Sequence, residues 1–133
     1  MATDDTVYLT LQEAVKLHVL YMRRVGETRF GVFDRALVES AINRPRHAAV
    51  FEDADIVRQA ATLLFGLIKD HPWEGGNKRT ATFLMTVFLN RNGMRLVSKT
   101  NEVVEACLKI ESNEWNVDEI DAWLRARVST LGE

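Results

Sequence analysis

Cysteine and proline are both scarce in this sequence. One cysteine, Cys107, stands among 133 residues, so no disulfide can form within the chain, as is usual in a reducing compartment. The apolar residues around it recur at helical spacing, which predicts a small buried side chain on the inner face of a helix. Only two prolines, Pro45 and Pro72, interrupt the chain, and this scarcity favours long helices.

Long apolar runs and a strong net charge are missing as well. The longest apolar run, around residues 80–89, is too short to cross a bilayer. The N-terminal segment MATDDTVYLT carries two acids and lacks the apolar core of a signal peptide. The formal net charge of -2 gives no general attraction to nucleic acid or to an anionic membrane. We therefore expect a cytoplasmic protein that is not embedded in a membrane and makes no direct contact with nucleic acid.

Helical periodicity is what the sequence does contain. Hydrophobic residues make up 47% of the chain and charged residues 27%, which is ordinary for a chain that folds around one core. We expect a single domain over residues 1–133, an all-α bundle of about six helices around a central buried pair. The predicted helices cover about residues 11–24, 35–44, 54–69, 77–91, 101–110 and 117–128, with N-caps at Thr10, Asp34 and Asn116.

Proline and glycine set several of the predicted boundaries. The residue before a proline is disfavoured in the helical region, so the second helix should stop before Pro45. The stretch NRPRHAAVFED then becomes a linker with some extended character. Asn92 and Gly93 end the fourth helix, and MRLV after them is expected to be a short extended piece. Val128 is expected on the inner face of the last helix.

The polar stretch HPWEGGNKRTA joins the third and fourth predicted helices. Because the connection is short, those helices should be adjacent and antiparallel, with the loop at one end of the core. A helix N-terminus carries unpaired N–H groups and a partial positive charge. Gly75 and Gly76 allow an anion to approach the backbone, Asn77 can cap the helix or donate an N–H, and Lys78 and Arg79 add positive charge. This combination favours phosphate.

His71 stands at the start of this stretch, at the exit of the third helix. Histidine is the side chain that changes charge near neutral pH, so His71 could take a proton from an attacking hydroxyl. Each residue also has an ordinary structural interpretation: Gly and Asn as plain caps, a histidine bound to helix carbonyls, and solvated cations. Only the order and spacing of the whole set favour a functional site.

In that order, HPWEGGNKRTA resembles the motif H-x-F-x-[D/E]-[A/G]-N-[K/G]-R of the Fic/Doc family, and its lysine resembles the Doc (death on curing) branch. The similarity extends to LTLQEAVKLH, LVESAINRP, AATLLFGLIKDHP and FLNRNGMRL, and so covers nearly the whole chain. The resemblance implies an all-α bundle around two central helices, in agreement with the periodicity.

The resemblance also implies roles for the motif residues. His71 would be the general base toward a hydroxyl of a target protein, and Asn77 with the helix N-terminus would hold the transferred phosphate. Arg79 would bind a terminal phosphate in bidentate fashion. Trp73, at the family's Phe position, would anchor the loop in the core. The implied nucleotide-binding residues are Gly75, Gly76, Asn77, Lys78 and Arg79, and the implied catalytic residues are His71, Asn77, Lys78 and Arg79.

A Doc-like protein is implied to be the toxin of a toxin–antitoxin pair. It would use ATP and Mg²⁺ to transfer the γ-phosphate to a hydroxyl of elongation factor Tu and arrest translation. A Phd-like antitoxin would neutralise it by laying a helix into an apolar groove. Two alternatives remain open: AMP transfer, as in the Fic branch, where a glycine takes the place of Lys78, and a catalytically silent binding module.

One position departs from the family pattern. The family acid that holds Mg²⁺ falls at Gly75. Glu74 is adjacent, but a shift of one residue at a helix entry turns the side chain by about 100°. Glu52 and Asp53 are further candidates for a metal-binding carboxylate. If the acid is simply missing, Gly75→Asp should raise Mg²⁺-dependent activity.

Overall fold

A computed structural model of the chain describes residues 5–132. Residues 1–4 and residue 133 lie outside the described residues. The first four belong to the N-terminal segment in which no signal peptide was expected. Within residues 5–132, no helix has the length and apolar character needed to cross a membrane. The elements are α1 (Leu11–Arg24), α2 (Arg35–Glu52), α3 (Ile56–Asp70), α4 (Asn77–Arg91), β1 (Met94–Leu96), α5 (Thr100–Glu111), α6 (Val117–Arg125) and β2 (Val128–Thr130).

The predicted N-caps are confirmed. Thr10 and Glu13 form a reciprocal capping box, in which each backbone N–H donates to the other side chain, at 3.0 and 3.1 Å. Asp34 accepts the N–H of Leu37 at 3.2 Å at the start of α2. Asn116 Oδ1 accepts the N–H of Asp118 at 3.0 Å, and the N–H of Asn116 donates to Glu119 Oε1 at 2.8 Å, at the start of α6. These boundaries were predictable because each cap depends on residues only two or three positions away.

The core is built around α3, which packs against α2, α4, α5 and α6. This helix is buried on nearly every side, and α4 buries Thr80, Ala81, Leu84, Met85, Phe88 and Leu89 beside it. The described residues therefore form an all-α bundle of six helices with a short two-stranded sheet, and the predicted pairing of the third and fourth helices is confirmed. Cys107 is buried as predicted, and burial raises the pKa of its thiol.

The predicted end of α2 before Pro45 is wrong. The helix continues through Pro45 to Glu52, so NRPRHAAVFE is helical and only Asp53 leaves the helix, with φ 52°. A proline inside a helix removes one hydrogen bond and costs on the order of 3 kcal/mol. Packing along α3 offsets that cost, because α2 buries a stripe at helical spacing that includes the proline ring: Val38, Ala41, Ile42, Pro45 and Ala48.

The C-terminal strand β2 was not predicted. The sequence predicted that Val128 belongs to the last helix, and this prediction is wrong. Val128 instead pairs with Leu96 in an antiparallel register that also matches Met94 with Thr130. β1 lies where MRLV was expected to be extended. A strand of three residues is too short for its periodicity to be distinguished from that of a helix end. The strand also forms only by pairing with a segment far away in the chain, which sequence spacing does not identify.

His18 connects α1 to α4 and to the loop between α3 and α4. Its ring is fully buried and stacks on Trp73, with ring centroids 4.2 Å apart. The backbone N–H of Gly31 donates to Nε2 at 3.0 Å, so Nε2 is unprotonated, and Nδ1–H therefore donates to Thr80 Oγ1 at 2.8 Å. Both ring nitrogens are thus used to hold the neutral imidazole in the core.

Burial lowers the pKa of His18 from 6.5 to about 4. Between these two values the unfolded chain binds a proton that the folded chain does not, so the free energy of unfolding falls as the pH is lowered. We expect a loss of about 2–3 kcal/mol from this residue between pH 7 and pH 4. Unfolding in urea at the two pH values should show a smaller drop for His18→Gln than for the natural chain. An equal drop in both proteins would mean that His18 does not cause it.

Candidate functional site

The motif loop, residues 71–76, joins α3 to α4. It begins at His71, which ends α3 in the left-handed region with φ 47°, and finishes at Gly76, which precedes α4 with φ 63°. Trp73 between them is 2% exposed, in agreement with the predicted anchoring role.

A neighbouring segment, residues 31–34, pairs with the motif loop as a short antiparallel bridge between Val32 and Trp73. The N–H of Phe33 donates to the carbonyl of Pro72, and the N–H of Glu74 donates to the carbonyl of Gly31, both at 2.9 Å. Backbone hydrogen bonds to this one segment hold the loop at Pro72 and at Glu74, so the conformation of the loop is fixed around Trp73.

Asn77 fastens the loop to the first turn of α4. Its Oδ1 accepts the N–H of Trp73 at 3.0 Å, and its Nδ2 donates to the carbonyl of Trp73 at 3.1 Å. The amide therefore has a structural role, and one hydrogen of Nδ2 remains for a ligand. Asn77 is not the N-cap, since Gly76 takes that position and no described side chain caps this end of α4. The N–H groups of the first turn are consequently open to an anion.

The structure supplies packing reasons for both glycines. A Cβ at Gly75 would lie 2.7 Å from the backbone oxygen of Arg29, and a Cβ at Gly76 would lie 2.5–2.6 Å from the end of the Met22 side chain. The close approach at Gly75 is to backbone of a neighbouring loop, which cannot turn aside as a flexible side chain can. We therefore expect Gly75→Asp to strain the loop, and the effect of that substitution on Mg²⁺-dependent activity stays a prediction.

Gly75→Ala is expected to lower the free energy of unfolding by about 1–3 kcal/mol, because the added methyl group must displace the Arg29 carbonyl. Thermal and urea unfolding would measure this. Glu74→Ala is the matched control, since Glu74 immediately precedes Gly75 in the same loop and its side chain is exposed. If both variants are as stable as the natural chain, the loop has more freedom than these contacts indicate.

Both cations at the start of α4 are ion-paired with glutamates from outside the motif. Lys78 Nζ donates to the two carboxylate oxygens of Glu111 on α5, at 3.1 and 3.3 Å. Arg79 Nη2 donates to Glu27 Oε1, in the loop after α1, at 2.6 Å. All four side chains are partly exposed, so these pairs can exchange for a ligand phosphate at small cost.

The imidazole of His71 lies close to the same carboxylate, that of Glu111, with which Lys78 forms its ion pair. Its Nε2 is 3.7 Å from Glu111 Oε2, beyond hydrogen-bond length, and half of the side chain is exposed. The imidazole, the Lys78 ammonium and the uncapped helix end therefore converge on one solvent-accessible space. Arg79 follows directly on the same helix turn. Its guanidinium is paired with Glu27 and not with Glu111. A base, an ammonium and free N–H groups at one place can hold a phosphate beside a proton acceptor.

The candidate metal-binding acids are not gathered at this place. Glu74 is exposed, and Glu52 and Asp53 lie with Arg58 on a charged surface between the end of α2 and α6. The described residues contain no group of three or more His, Cys, Asp or Glu side chains that could hold a metal ion. Among the described residues, the carboxylate within 4 Å of the motif histidine is that of Glu111, and it is ion-paired with Lys78. These residues do not fit a Mg²⁺ ion held by the protein alone.

An apolar groove of about 340 Å³ leads away from Lys78 and Arg79 along α4. Tyr21 of α1 and Phe83 of α4 stack in its wall, with ring centroids 4.8 Å apart. Residues of α5 form the opposite side, including Val103, Val104 and Cys107. The polar end and the apolar body of this groove belong to one continuous surface.

Sequence reasoning missed Glu27 and Glu111. Each lies in a segment with several other charged residues, and nothing in their spacing separates them from solvated side chains. Their importance comes only from the partners that packing gives them, at separations of 52 and 33 residues in the chain. His18 was expected in the first helix but not as a ring partner of Trp73.

The fold and the site thus define a helical protein in which a short polar loop presents a histidine and an uncapped, cationic helix N-terminus. A model of the Fic/DOC family matches residues 8–89, which include all of the motif. Since the match covers more than half of the sequence, the chain belongs to the Fic/DOC family.

Among curated proteins, the chain is similar to "Protein kinase doc" of Escherichia phage P1. The two are 27% identical over 119 residues, which cover 89% of this chain and 93% of the phage protein. The resemblance found in the motif therefore extends over almost the full length of both chains.

Proposed function

We propose that this protein is a Doc-like toxin that transfers the γ-phosphate of ATP to a hydroxyl group of a protein. The observation that carries the proposal is the convergence of His71 and Lys78 on one carboxylate at the uncapped start of α4. The similarity to a protein named as a kinase supports it. By the resemblance of the motif, the acceptor is elongation factor Tu, the effect is arrest of translation and the place is the cytoplasm.

The proposed step is a single displacement at the γ-phosphorus. The acceptor oxygen forms a bond to phosphorus, the bond to the bridging oxygen of the β-phosphate breaks, and ADP leaves. His71 takes the hydroxyl proton. The N–H groups of α4, the free hydrogen of Asn77 and the side chains of Lys78 and Arg79 stabilise the phosphate oxygens, because positive charge in a fixed position favours the charged transition state.

Lys78 favours phosphate transfer over AMP transfer. In the Fic branch a glycine at this position leaves room for a pyrophosphate, whereas a lysine ammonium fills that space and presents a point charge to a terminal phosphate. We propose that Mg²⁺ accompanies the nucleotide on its own phosphates, because the protein residues around the motif do not form a metal site. No step here depends on a metal held by this chain.

ATP labelled at the γ- or the α-phosphate distinguishes the candidate functions. Purified protein is incubated with each label, Mg²⁺ and purified elongation factor Tu, and then with a bacterial lysate. Label from the γ-position on protein supports the kinase, and label from the α-position supports AMP transfer. If nucleotide binds but neither label is transferred to any protein, the chain acts as a binding module and the kinase proposal fails.

We propose that an antitoxin helix occupies the apolar groove beside α4. A helix with apolar residues toward Val103 and Val104, and an acid near Lys78 and Arg79, matches the groove in both polarity and charge. Such a partner would cover the phosphate-binding cations and so block the reaction. The gene beside this one should encode a small protein that copurifies with the chain, and Val104→Asp should release it. A complex that survives Val104→Asp would place the partner elsewhere.

A further inference from the structure

Among residues 5–132, Glu111 is the residue outside the motif whose carboxylate lies within 4 Å of both the His71 and the Lys78 nitrogens. It is the last residue of α5, and its carboxylate lies 3.1 Å from Lys78 Nζ and 3.7 Å from His71 Nε2 through the same oxygen. A surface ion pair of this exposure adds little to stability. Its position is therefore better explained by what it does for the two partners than by folding.

The motif itself cannot supply this carboxylate. At Gly75, where the resemblance expects an acid, a side chain would collide with the backbone oxygen of Arg29. The neighbouring Glu74 is exposed, and its N–H is bonded to the carbonyl of Gly31 in the pairing that fixes the loop. Asp70, at the end of α3, also interacts electrostatically with His71. Among the described residues, however, the carboxylate within 4 Å of the imidazole is that of Glu111, which α5 provides.

We infer that Glu111 is a positioning residue of the proposed phosphotransfer, shared between Lys78 before nucleotide binds and His71 during the reaction. Lys78 cannot give its ammonium fully to both a carboxylate and a phosphate. When a phosphate draws Lys78 away, the Glu111 carboxylate is left beside the imidazole, where it stabilises the imidazolium formed as His71 takes the proton. This inference rests on the proposed function, but its two halves are measured separately.

The two halves predict opposite effects in one variant. In Glu111→Gln the neutral amide competes less for Lys78, so ATP should bind about two- to fivefold more tightly. The same variant loses the anion beside His71, so kcat should fall on the order of tenfold. A residue with only a structural role would not raise affinity while lowering turnover. Glu111→Asp, which keeps the charge, should recover part of kcat.

Calorimetry with ATP and transfer assays with γ-labelled ATP would measure both effects. Glu105→Gln is the matched control, because Glu105 lies on the same helix and, among the described residues, its ion pair is the local one with Lys109, at 3.3 Å. The gain in affinity should also disappear when Glu111→Gln is made in a Lys78→Ala background. Unchanged affinity and unchanged kcat in Glu111→Gln, with transfer intact in the natural chain, would overturn the inference and leave the proposed function standing. Absence of transfer in the natural chain would instead overturn the proposed function.

Discussion

His71→Ala is expected to abolish phosphate transfer, with the rate lowered on the order of 10²- to 10⁴-fold, because a general base contributes about that much to proton-coupled transfer. Binding of ATP should change little, since the proposed phosphate contacts come from α4 and not from the imidazole. Transfer from γ-labelled ATP and calorimetric titration with ATP would measure the two effects. Expression of the variant in bacteria should no longer arrest growth.

The stability of this variant needs its own control. His71 has a positive φ of 47°, which is strained for alanine. His71→Asn replaces the imidazole with a side chain that adopts this conformation more readily and cannot act as a base near neutral pH. Both variants should lose transfer, and His71→Asn should unfold at the same urea concentration as the natural chain. Transfer that persists in either variant would remove His71 from the mechanism.

Trp73→Ala is expected to lower the free energy of unfolding by about 3–5 kcal/mol, because it empties a buried aromatic site in the middle of the motif loop. The indole stacks on His18, and its backbone is bonded to Asn77 and paired with Val32. Loss of the ring therefore loosens the frame that presents His71. Urea unfolding would give the stability change, and the weaker binding of ATP would report the effect on the site.

Trp73→Phe is the matched comparison. The indole Nε1–H is buried and has no hydrogen-bond partner among the described residues, so replacing it with a phenyl ring removes no hydrogen bond. A phenyl ring also keeps the stack on His18. We expect a loss below about 1.5 kcal/mol. If Trp73→Phe is as damaging as Trp73→Ala, the N–H has a partner, such as a buried water, and the anchoring role rests on that contact.

The buried helices and the caps were predictable because their causes are local. Thr10, Asp34 and Asn116 each cap the helix that was expected. The apolar residues of α3 and α4 were recognised from spacing alone, and so was the buried position of Cys107. Helical periodicity and capping depend on neighbours three or four positions away, so a single sequence contains the information needed.

Pro45 and Val128 show where local reasoning was insufficient. A proline that stops an isolated helix is tolerated in α2, because its ring fills part of the contact with α3. Val128 lies in a strand because Leu96 is available to pair with it. In both cases the outcome depends on a partner segment that sequence spacing does not identify.

For the site, the sequence by itself determined the residues that can do chemistry: the motif from His71 to Arg79, its order and its likeness to a family of known pattern. Tertiary structure alone decided which partners they have. Glu111 and Glu27 reach Lys78 and Arg79 from α5 and from the loop after α1, and His18 reaches Trp73 from α1. The physical reason is that an ion pair or a ring stack forms only when the packing of separate helices brings its two side chains together. The ability of a side chain to accept a proton or to carry a charge, in contrast, is given by its residue type.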